Sequence, residues 1–351
     1  MTTTQTTTAL PERIEDVDQL EDLLSDPTPA AVRAMGNMRG DLIVLGVAGK
    51  MGPTLARMAK RASDAAGVKR RVIGASRFSN VEEDVRLQSH GVETIKADLL
   101  DQATLDRLPD APNVLYMAGM KFGATGKEAL TWAMNTYLPG MVCNRYTTSR
   151  IVAFSTGNVY GLTPVSSGGS VESDAPNPVG EYAMSCLGRE RMFEHFSRAL
   201  SIPMAIIRLN YASEMRYGVI VDLARKVWAG ETMDLSMGHV NVIWQGDANA
   251  MTLAAFDHLR SPPLMLNVAG PEIVNVRDVC ETYGKLMGKF VKFTGTEAPD
   301  ALLNNAQLGY QLAGRPRVSL EQQLRWVAQW VMSGGASLGK PTHFEARDGK
   351  F

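Results

Sequence analysis

The sequence has almost no excess of charge: 36 Lys and Arg residues face 37 Asp and Glu over 351 residues, a formal net charge of −1. This balance gives no general attraction to nucleic acid or to an anionic membrane surface, so we expect neither as a partner. No hydrophobic run approaches the length of a membrane span, and the first residues lack the basic and apolar regions of an export signal. We therefore expect a cytoplasmic protein.

Cysteine and histidine are also scarce. Cys143, Cys186 and Cys280 are scattered without the spacing of a disulfide framework or a metal site, which favours a reducing compartment. The five histidines form no HxH or HxxxH pattern, so the sequence predicts no bound metal. The remaining composition, 45% hydrophobic and 21% charged, is ordinary for a globular protein with one large or two modest domains.

The chain does have a glycine-rich turn directly after an apolar run. Residues 42–47 predict a buried parallel strand, residues 53–66 predict a helix, and three glycines lie between them at spacings of three. Such a turn directs backbone N–H groups and the positive end of a helix dipole at one place, where a pyrophosphate can bind. Glycine is required because a Cβ would block both the turn and the phosphate. The predicted contacts with a dinucleotide are Gly46, Gly49, Lys50, Met51 and Gly52.

Strands and helices alternate beyond this turn, which predicts a doubly wound parallel α/β sheet of the Rossmann type. Further runs that predict strands lie at 71–75, 94–98, 113–119, 150–156 and 203–209. Ligands bind at the carboxyl ends of such strands. The residues there that we predict to contact the cofactor are Ser76, Arg77, Asp98, Leu99, Ala118 and Gly119.

The end of the second strand bears on the choice of cofactor. A fold that prefers NAD places an Asp or Glu there to bind the ribose hydroxyls. This chain has Ser76 and Arg77 instead, and a hydroxyl beside a guanidinium can bind a 2′-phosphate. We therefore favour NADP over NAD. The alternative is that Arg77 is only a solvated surface charge.

The alternation becomes irregular after residue 209. Residues 1–40 are expected to form an N-terminal extension, disordered over 1–9 and partly helical after that. We expect a dinucleotide-binding core at 41–209, with 239–270 returning to it. The expected substrate lobe comprises 210–238 and 271–351, with helices at 219–229, 279–287 and 320–333. Short strands are predicted at 239–244, 265–268 and 274–277. Residues 161–180, rich in Gly, Ser and Pro, predict either a mobile active-site loop or a linker.

Several motifs occur in one order along the chain. They are the glycine triplet, Ser155-Thr156 followed by Val159-Tyr160-Gly161, Tyr182 one loop later, Arg208-Leu-Asn210, Asp247 and Asn267-Val-Ala-Gly-Pro271. From about residue 41 to about residue 330 this set resembles the extended short-chain dehydrogenase/reductases, the NAD(P)-dependent sugar epimerases and dehydratases. The ordered set is much more specific than any single motif.

The resemblance implies roles for individual residues. Tyr182 matches the catalytic tyrosine, which exchanges a proton with the substrate hydroxyl and lies against the cofactor. Thr156 matches the residue that hydrogen-bonds the same oxygen, and Asn135 matches a helix asparagine that supports the site through its backbone. The resemblance also implies a homodimer packed through the helices of Asn135 and Tyr182.

One position departs from the family pattern. The family has Tyr-x-x-x-Lys, but this chain has Cys186 four residues after Tyr182. The family lysine binds the nicotinamide ribose and lowers the tyrosine pKa; a shift from about 10 toward 7 requires roughly 4 kcal/mol, which a thiol cannot supply. Two cations are candidates to compensate. Arg189 lies on the same helix face, and Lys121, just after the fourth strand, approaches from the nicotinamide side; either is equally well a solvated charge.

A second departure narrows the chemistry. Dehydratases of the family place an acidic pair after the catalytic threonine, whereas this chain has Gly157 and Asn158, which argues against a 4,6-dehydratase. We therefore expect an NAD(P)-dependent oxidoreductase or epimerase that acts on a secondary hydroxyl or ketone of a carbohydrate or sugar derivative. The candidate substrate contacts are Asn210, Glu214 and Arg216. The alternative is a non-catalytic NADP(H)-binding sensor or scaffold protein of the same fold.

Overall fold

Seven parallel strands form the centre of the computed structural model, which describes residues 10–121 and 126–349. The disorder expected at residues 1–9 lies outside the described residues. The described residues also form four two-stranded sheets, and all strands in chain order are β1 Leu42–Leu45, β2 Val72–Ser76, β3 Glu93–Lys96, β4 Asn113–Tyr116, β5 Arg150–Thr156, β6 Thr163–Pro164, β7 Met204–Leu209, β8 Ala212–Ser213, β9 Thr232–Asp234, β10 His239–Val240, β11 Ile243–Trp244, β12 Leu264–Val268, β13 Val274–Asn275, β14 Lys292–Thr294 and β15 Asp300–Ala301.

The described helices cover both faces of the sheet and form the peripheral regions. They are α1 Val17–Leu24, α2 Pro29–Asn37, α3 Gly52–Ala65, α4 Val81–Ser89, α5 Gln102–Asp106, α6 Glu128–Trp132, α7 Leu138–Arg145, α8 Gly180–Leu200, α9 Val219–Ala229, α10 Gln245–Ala254, α11 Val276–Met287, α12 Gln307–Ala313 and α13 Leu320–Met332. A π-helical turn, Ala133–Tyr137, joins α6 to α7. No described helix has the length and apolar character needed to cross a membrane.

The order of the large sheet is β12-β7-β5-β4-β1-β2-β3, and all of its pairs are parallel. The chain runs outward from β1 to β2 and β3, then returns to place β4 on the other side of β1. The order therefore reverses between β1 and β4, the point at which open α/β sheets bind ligands beyond the carboxyl ends of their strands. This topology confirms the predicted doubly wound sheet.

Helix boundaries follow local capping chemistry. Asp16 caps α1 by accepting a hydrogen bond from the Gln19 backbone, and Thr28 caps α2 just before Pro29. No side chain caps the N-terminus of α3, the helix that follows the glycine turn. In the first turn the Gly52 N–H donates to the Gly49 carbonyl at 3.0 Å and Pro53 has no N–H, so a ligand at this helix end would meet the positive end of the helix dipole and the backbone of the glycine turn.

The N-terminal extension packs against two different hydrophobic clusters. Ala34 and Met35 of α2 belong to the hydrophobic cluster on the face of the sheet covered by α3 and α10. Leu20 and Leu24 of α1 belong instead to the cluster at the centre of the C-terminal region, where Val227 of α9 also lies. The extension thus buries apolar surface on both sides.

Local structure after residue 209 differs in detail from the sequence predictions. The predicted strand 239–244 is two short strands, because β10 pairs with β13 while β11 turns to pair with β8. The predicted strand 274–277 ends at residue 275, and α11 begins at Val276, three residues earlier than predicted. Helix α10 has no counterpart in the predictions, since its ten residues are all buried and carry no amphipathic pattern.

Candidate active site

A cavity of about 360 Å³ lies at the switch point between β1 and β4. The described residues that line it are Gly49, Lys50, Met51, Met117, Gly119, Met120, Lys121, Phe154, Ser155, Thr156, Asn158, Tyr182, Arg189, Leu209, Asn210, Tyr211, Ala212, Tyr217, Gly218, Val219, Lys340 and Thr342. Eight of the predicted site residues are among them. The cavity therefore unites the glycine turn, the end of β5, the start of α8 and the loop after β7.

The three glycines of the turn serve different purposes. Gly46 has a φ of 87°, and a Cβ there would lie 2.7 Å from the backbone of Ala118. A Cβ on Gly52 would lie 2.0 Å from the carbonyl oxygen of Val47. Gly49 faces the cavity, and a Cβ there would meet only the Gly46 oxygen, at 3.3 Å. The turn is thus packed below and open above, beside the uncapped start of α3, and it fits a pyrophosphate.

The predicted contacts with the far end of a dinucleotide lie at the ends of β2 and β3, outside the cavity lining. Ser76 is half-buried and Arg77 is exposed to solvent. Asp98 is exposed and accepts a hydrogen bond from a backbone N–H two residues later, whereas Leu99 is buried. Arg77 lies directly after the carboxyl end of β2.

Tyr182 and Thr156 meet inside the cavity. Thr156 is the last residue of β5, Tyr182 lies in the first turn of α8, and their side chains share a hydrogen bond. Burial raises the pKa of the Tyr182 phenol, and the neighbouring Cys186 thiol adds to the increase. Arg189 and the bond to Thr156 act in the opposite direction. Burial therefore keeps the phenol of Tyr182 protonated.

Cys186 occupies the position of the family lysine. It is fully buried, forms no disulfide, and packs with Val159, Tyr160, Tyr182 and Leu187. Burial raises the pKa of its thiol. Cys186 is thus a neutral, small core residue one helical turn below the phenol.

Arg189 reaches back toward that position from the next turn of α8. Its guanidinium donates hydrogen bonds to the Phe154 carbonyl (2.9 Å), to the Asn135 side-chain oxygen (2.6 Å) and to the Asn135 carbonyl (3.3 Å). A Cβ at Gly119 would lie 2.3 Å from the same guanidinium, so the glycine makes room for it. A permanent cation therefore lies between α8 and the end of β4.

Asn135 lies in the π-helical turn and forms hydrogen bonds with the residues around it through both its side chain and its backbone. It accepts a hydrogen bond from the Met120 N–H (2.8 Å) and donates to the Met120 carbonyl (2.9 Å) and to the Ser185 hydroxyl (3.0 Å). The loop after β4 is thereby tied to α8. A π-helical turn changes the direction of a side chain relative to a regular α-helix, and here the Asn135 side chain contacts both Met120 and Ser185.

Lys121 provides a second cation above the phenol. Its ammonium lies 5.8 Å from the centre of the Tyr182 ring, and both residues line the cavity. Burial lowers the pKa of Lys121 to about 8, while Cys186 acts in the opposite direction. The charge of Lys121 therefore depends on pH just above neutrality.

A buried ion pair fixes α8 to the sheet beneath the site. Glu190 binds Arg208 of β7 through two oxygens, at 2.8 and 3.0 Å, and accepts a hydrogen bond from Ser155 at 2.6 Å. Arg208 also donates to the Tyr160 hydroxyl at 2.7 Å, and Tyr160 donates to Asn267 of β12. Several of the motifs that suggested the family thus form one hydrogen-bonded network behind Tyr182 and Thr156.

The predicted substrate contacts divide into two groups. Asn210 lines the cavity and donates hydrogen bonds to Asn241 and to the Leu302 carbonyl. Glu214 and Arg216 lie outside the lining and bind each other at 3.1 Å, and Arg216 also binds Glu21 of α1 at 3.0 Å. The guanidinium of Arg216 is therefore neutralised by two carboxylates, one of them from the N-terminal extension.

Sequence reasoning missed the contribution of the C-terminal segment. Lys340 and Thr342 line the cavity, and Thr342 is anchored by two hydrogen bonds to Asp222 of α9. Farther on, the backbone of Gly349 touches Gly180 at the start of α8. These residues lie beyond the stretch that resembles the family, so no motif pointed to them.

The family model for the NAD dependent epimerase/dehydratase family matches residues 42–247 of this chain. No curated protein sequence matches. Among solved structures, the chain is similar to UDP-glucuronic acid 4-epimerase from Bacillus cereus, in complex with UDP-glucuronic acid and NAD (18% identity, TM-score 0.68, 84% of this chain and 99% of that one).

Two other solved structures share the fold. One is dTDP-glucose 4,6-dehydratase from Bacillus anthracis in complex with NAD (15% identity, TM-score 0.71, 84% of this chain and 97% of that one). The other is UDP-glucose 4-epimerase from Thermotoga maritima with UDP-glucose (16% identity, TM-score 0.67, 84% and 99%). The family match, which spans more than half of the 351 residues, shows that this chain belongs to the NAD-dependent epimerase/dehydratase family, enzymes of the extended short-chain dehydrogenase/reductase type.

Proposed function

We propose that the protein is an NAD(P)-dependent oxidoreductase or epimerase that acts on a secondary hydroxyl or ketone of a carbohydrate-type substrate. The observation that carries this proposal is the hydrogen-bonded Tyr182 and Thr156 pair inside a cavity that also contains the open glycine turn. Family membership and the solved relatives, which include enzymes for UDP-linked and dTDP-linked sugars, support a carbohydrate substrate.

In this proposal Tyr182 moves the proton and Thr156 holds the oxygen. The phenol donates to a ketone oxygen or accepts from a hydroxyl, and the Thr156 hydroxyl stabilises the same oxygen as its charge changes. Hydride exchange is the chemistry that a nicotinamide cofactor supplies when bound. The open face of Gly49 and the uncapped start of α3 would hold its pyrophosphate, and Gly119 would allow it to pass the end of β4.

Arg189 and Lys121 take over the electrostatic role of the missing lysine. Arg189 carries a permanent charge near the phenol and opposes the rise in the Tyr182 pKa that burial causes. The Lys121 ammonium lies 5.8 Å from the centre of the Tyr182 ring. A cation stabilises the phenolate form, which proton transfer requires. Gly157 and Asn158 offer no acid, and a side chain at 157 would meet the Asn304 amide at 2.5 Å, which supports an activity other than 4,6-dehydration.

NADP is the favoured cofactor in this proposal. Arg77 is an exposed cation at the end of β2 and Ser76 is beside it, where an acidic residue would repel a 2′-phosphate. Two of the structural relatives described above were solved with NAD, so both dinucleotides require measurement. Arg77→Ala is expected to weaken NADP⁺ binding by about tenfold and to leave NAD⁺ binding unchanged, as measured by calorimetry.

The alternative, a non-catalytic NADP(H) sensor or scaffold, requires no proton donor at the substrate position. It is separated from the enzyme by a single-turnover assay of nicotinamide reduction with stoichiometric NADP⁺ or NAD⁺ and a panel of sugars, sugar acids and sugar nucleotides. Reduction by the wild type and its loss in Tyr182→Phe support the enzyme. Equal reduction in the two proteins contradicts the role of Tyr182, and tight cofactor binding without reduction by any panel member favours the sensor.

We also propose a homodimer packed through α8 and the helices around Asn135. Three apolar side chains on these helices are exposed: Leu130 (45%), Tyr137 (62%) and Met184 (44%). Exposed apolar groups on one face are typical of an association surface. Tyr137→Lys is expected to convert a dimer into a monomer, as measured by light scattering after gel filtration, and an unchanged mass would contradict this interface.

The division of the chain into a cofactor-binding core and a substrate lobe remains part of this proposal. Residues of α9, α11 and α13 pack together in one hydrophobic cluster, which supports a lobe formed by 210–238 and 271–351. Val240, Val242 and Trp244 pack in that cluster as well, whereas α10 and β12 belong to the core. Residues 41–209 hold the rest of the sheet, and residues 1–40 form the extension.

A further inference from the structure

The C-terminal segment, residues 338–349, forms part of the cavity wall. Thr342 lines the cavity, and only 3% of this residue is exposed to solvent. The family model matches residues 42–247, and the segment also lies outside the longer stretch whose motifs resemble the family. Thr342 is therefore a feature of the cavity that family membership does not explain.

Contacts on both sides of Thr342 hold this segment in place. Before it, the Leu338 N–H donates to the Arg216 carbonyl at 3.1 Å. After it, Phe344 is buried in the hydrophobic cluster that includes α9, and the Arg347 guanidinium donates to the Asp300 carbonyl at 3.1 Å. A side chain on a wall that is fixed in this way can discriminate between ligands by the position of a single group.

The proton of the Thr342 hydroxyl is already committed to Asp222 of α9. Oδ2 of Asp222 accepts a hydrogen bond from this hydroxyl at 2.6 Å and a second one from the Thr342 backbone N–H at 2.8 Å. Burial raises the pKa of the Asp222 carboxyl, and the two bonds from Thr342 oppose that rise. Two donors on one oxygen mark Oδ2 as the acceptor, so a proton bound by this carboxyl would be on Oδ1.

The Thr342 hydroxyl can consequently only accept a hydrogen bond from a ligand. A threonine hydroxyl has one proton and two lone pairs, and Asp222 takes the proton. The lysines in the same lining, Lys50, Lys121 and Lys340, have the opposite character, because an ammonium group can only donate. Thr342 thus adds to this wall an acceptor that prefers a ligand group with a proton to share.

We propose that Thr342 determines substrate specificity by accepting a hydrogen bond from a hydroxyl of the substrate, separate from the oxygen that Tyr182 and Thr156 bind. A ketone, an ether or a missing hydroxyl at that place offers no proton, and the buried acceptor then loses its partner. The proposal rests on the function proposed above and deepens it, because it requires a polyol with a free second hydroxyl and names the residue that recognises this group.

Three substitutions of Thr342 separate recognition from folding. Thr342→Val replaces the hydroxyl by a methyl group of similar size, and Thr342→Ser retains the hydroxyl. Thr342→Cys keeps a proton for Asp222 but offers a ligand only sulfur, a weak acceptor. The matched control is Thr282→Val, because Thr282 lies in α11, outside the described lining, and its hydroxyl donates to the Asp278 carbonyl at 2.8 Å.

The probes are UDP-glucose and its monodeoxy analogues, each of which lacks one hydroxyl. Their binding to the wild type and to the four variants is measured by calorimetry, without a dinucleotide and at saturating NADH or NADPH. The reduced cofactor cannot take a hydride from a hydroxyl, so the heat measured is that of binding alone. Circular dichroism shows whether each variant is folded.

In the wild type, Thr342→Ser and Thr282→Val, one deoxy analogue is expected to bind about tenfold more weakly than UDP-glucose, as for loss of one buried hydrogen bond. Thr342→Val and Thr342→Cys are expected to bind UDP-glucose about tenfold more weakly than the wild type and to bind that analogue as well as UDP-glucose. If Thr342→Val is unfolded, Thr342→Cys decides. An unchanged preference for the hydroxyl in the folded variants overturns the proposal, and so does a wild type that does not bind UDP-glucose.

The proposed function fails by a different result. If UDP-glucose binds with the expected dependence on Thr342 but no panel member is reduced in the single-turnover assay, the oxidoreductase proposal falls and the role of Thr342 stands. If panel members are reduced, Thr342→Val is expected to raise KM by about tenfold and to change kcat by less than about twofold, because the hydroxyl binds the substrate without moving its proton. A lower kcat at unchanged KM overturns the assignment of Thr342 to substrate recognition.

Discussion

Replacing Cys186 by the lysine of the family pattern is expected to destabilise this protein. The side chain at 186 is fully buried, so the larger residue costs about 1–3 kcal/mol in overpacking. Residues three apart on a helix are roughly 5–6 Å apart, so two like charges at 186 and 189 repel by about 3 kcal/mol at an effective dielectric constant of about 20. The free energy of unfolding of Cys186→Lys should fall by the sum of the two effects, unless the new lysine loses its proton.

A double-mutant cycle separates the charge from the volume. Arg189→Met alone leaves the buried Phe154 carbonyl without its guanidinium donor, a cost of about 1–3 kcal/mol. The double variant Cys186→Lys/Arg189→Met lacks this repulsion. Its free energy of unfolding should therefore be about 3 kcal/mol higher than the summed losses of the two single variants predict. The matched control, Cys186→Met, adds similar bulk without charge and should show no such coupling.

Urea unfolding of these variants, followed by circular dichroism, gives the free energies. A coupling energy within about 0.5 kcal/mol of zero for the lysine variant would refute the reasoning, because it would mean that Arg189 does not occupy the electrostatic place of the missing lysine. Equal coupling in the methionine control would attribute the effect to packing. The double variant also restores the Tyr-x-x-x-Lys pattern, so its nicotinamide reduction in the single-turnover assay can be compared with that of the wild type.

Three further outcomes follow from the site. Arg208→Met should destabilise the fold by about 3–5 kcal/mol in urea, because it leaves Glu190 buried without its partner; a loss below 1 kcal/mol would contradict the anchoring role of the ion pair. Gly49→Ala should weaken dinucleotide binding by about tenfold or more in calorimetry while changing the melting temperature little, since its Cβ faces the cavity; normal binding would remove the pyrophosphate from this turn. Turnover that uses the Lys121 cation should fall as pH rises through about 8, where this buried amine loses its proton, and Lys121→Arg should abolish that decline; a decline that is unchanged in the variant belongs to another group.

Local sequence information was sufficient for the core of the fold. Strand β1, the glycine turn and α3 follow from a short apolar run, three glycines and a helix-forming segment, all adjacent in the chain. Helix α9 was predicted with its observed bounds, because its amphipathic pattern ends at a glycine in the left-handed conformation. The family assignment, which the family model confirms, rested on motifs whose order along the chain is itself sequence information.

Short and buried elements could not be predicted in this way. Helix α10 is buried on all sides, so no periodicity distinguishes its faces, and β10 and β11 are separate only because their partners lie elsewhere in the chain. Such pairings are set by contacts between residues far apart in sequence. The same applies to Glu21 and Arg216, which are 195 residues apart and form an ion pair.

Local patterns and residue identity were enough to predict the doubly wound sheet, the glycine turn, Thr156 and Tyr182 as candidate site residues, and the cysteine at the position of the family lysine. Which charges face the cavity became known from the folded structure. Arg216 binds two carboxylates outside the lining, Arg189 lies near the phenol, and Lys50 and Lys340 line the cavity. A charged side chain is directed by partners that folding brings close, and no short stretch of sequence contains those partners.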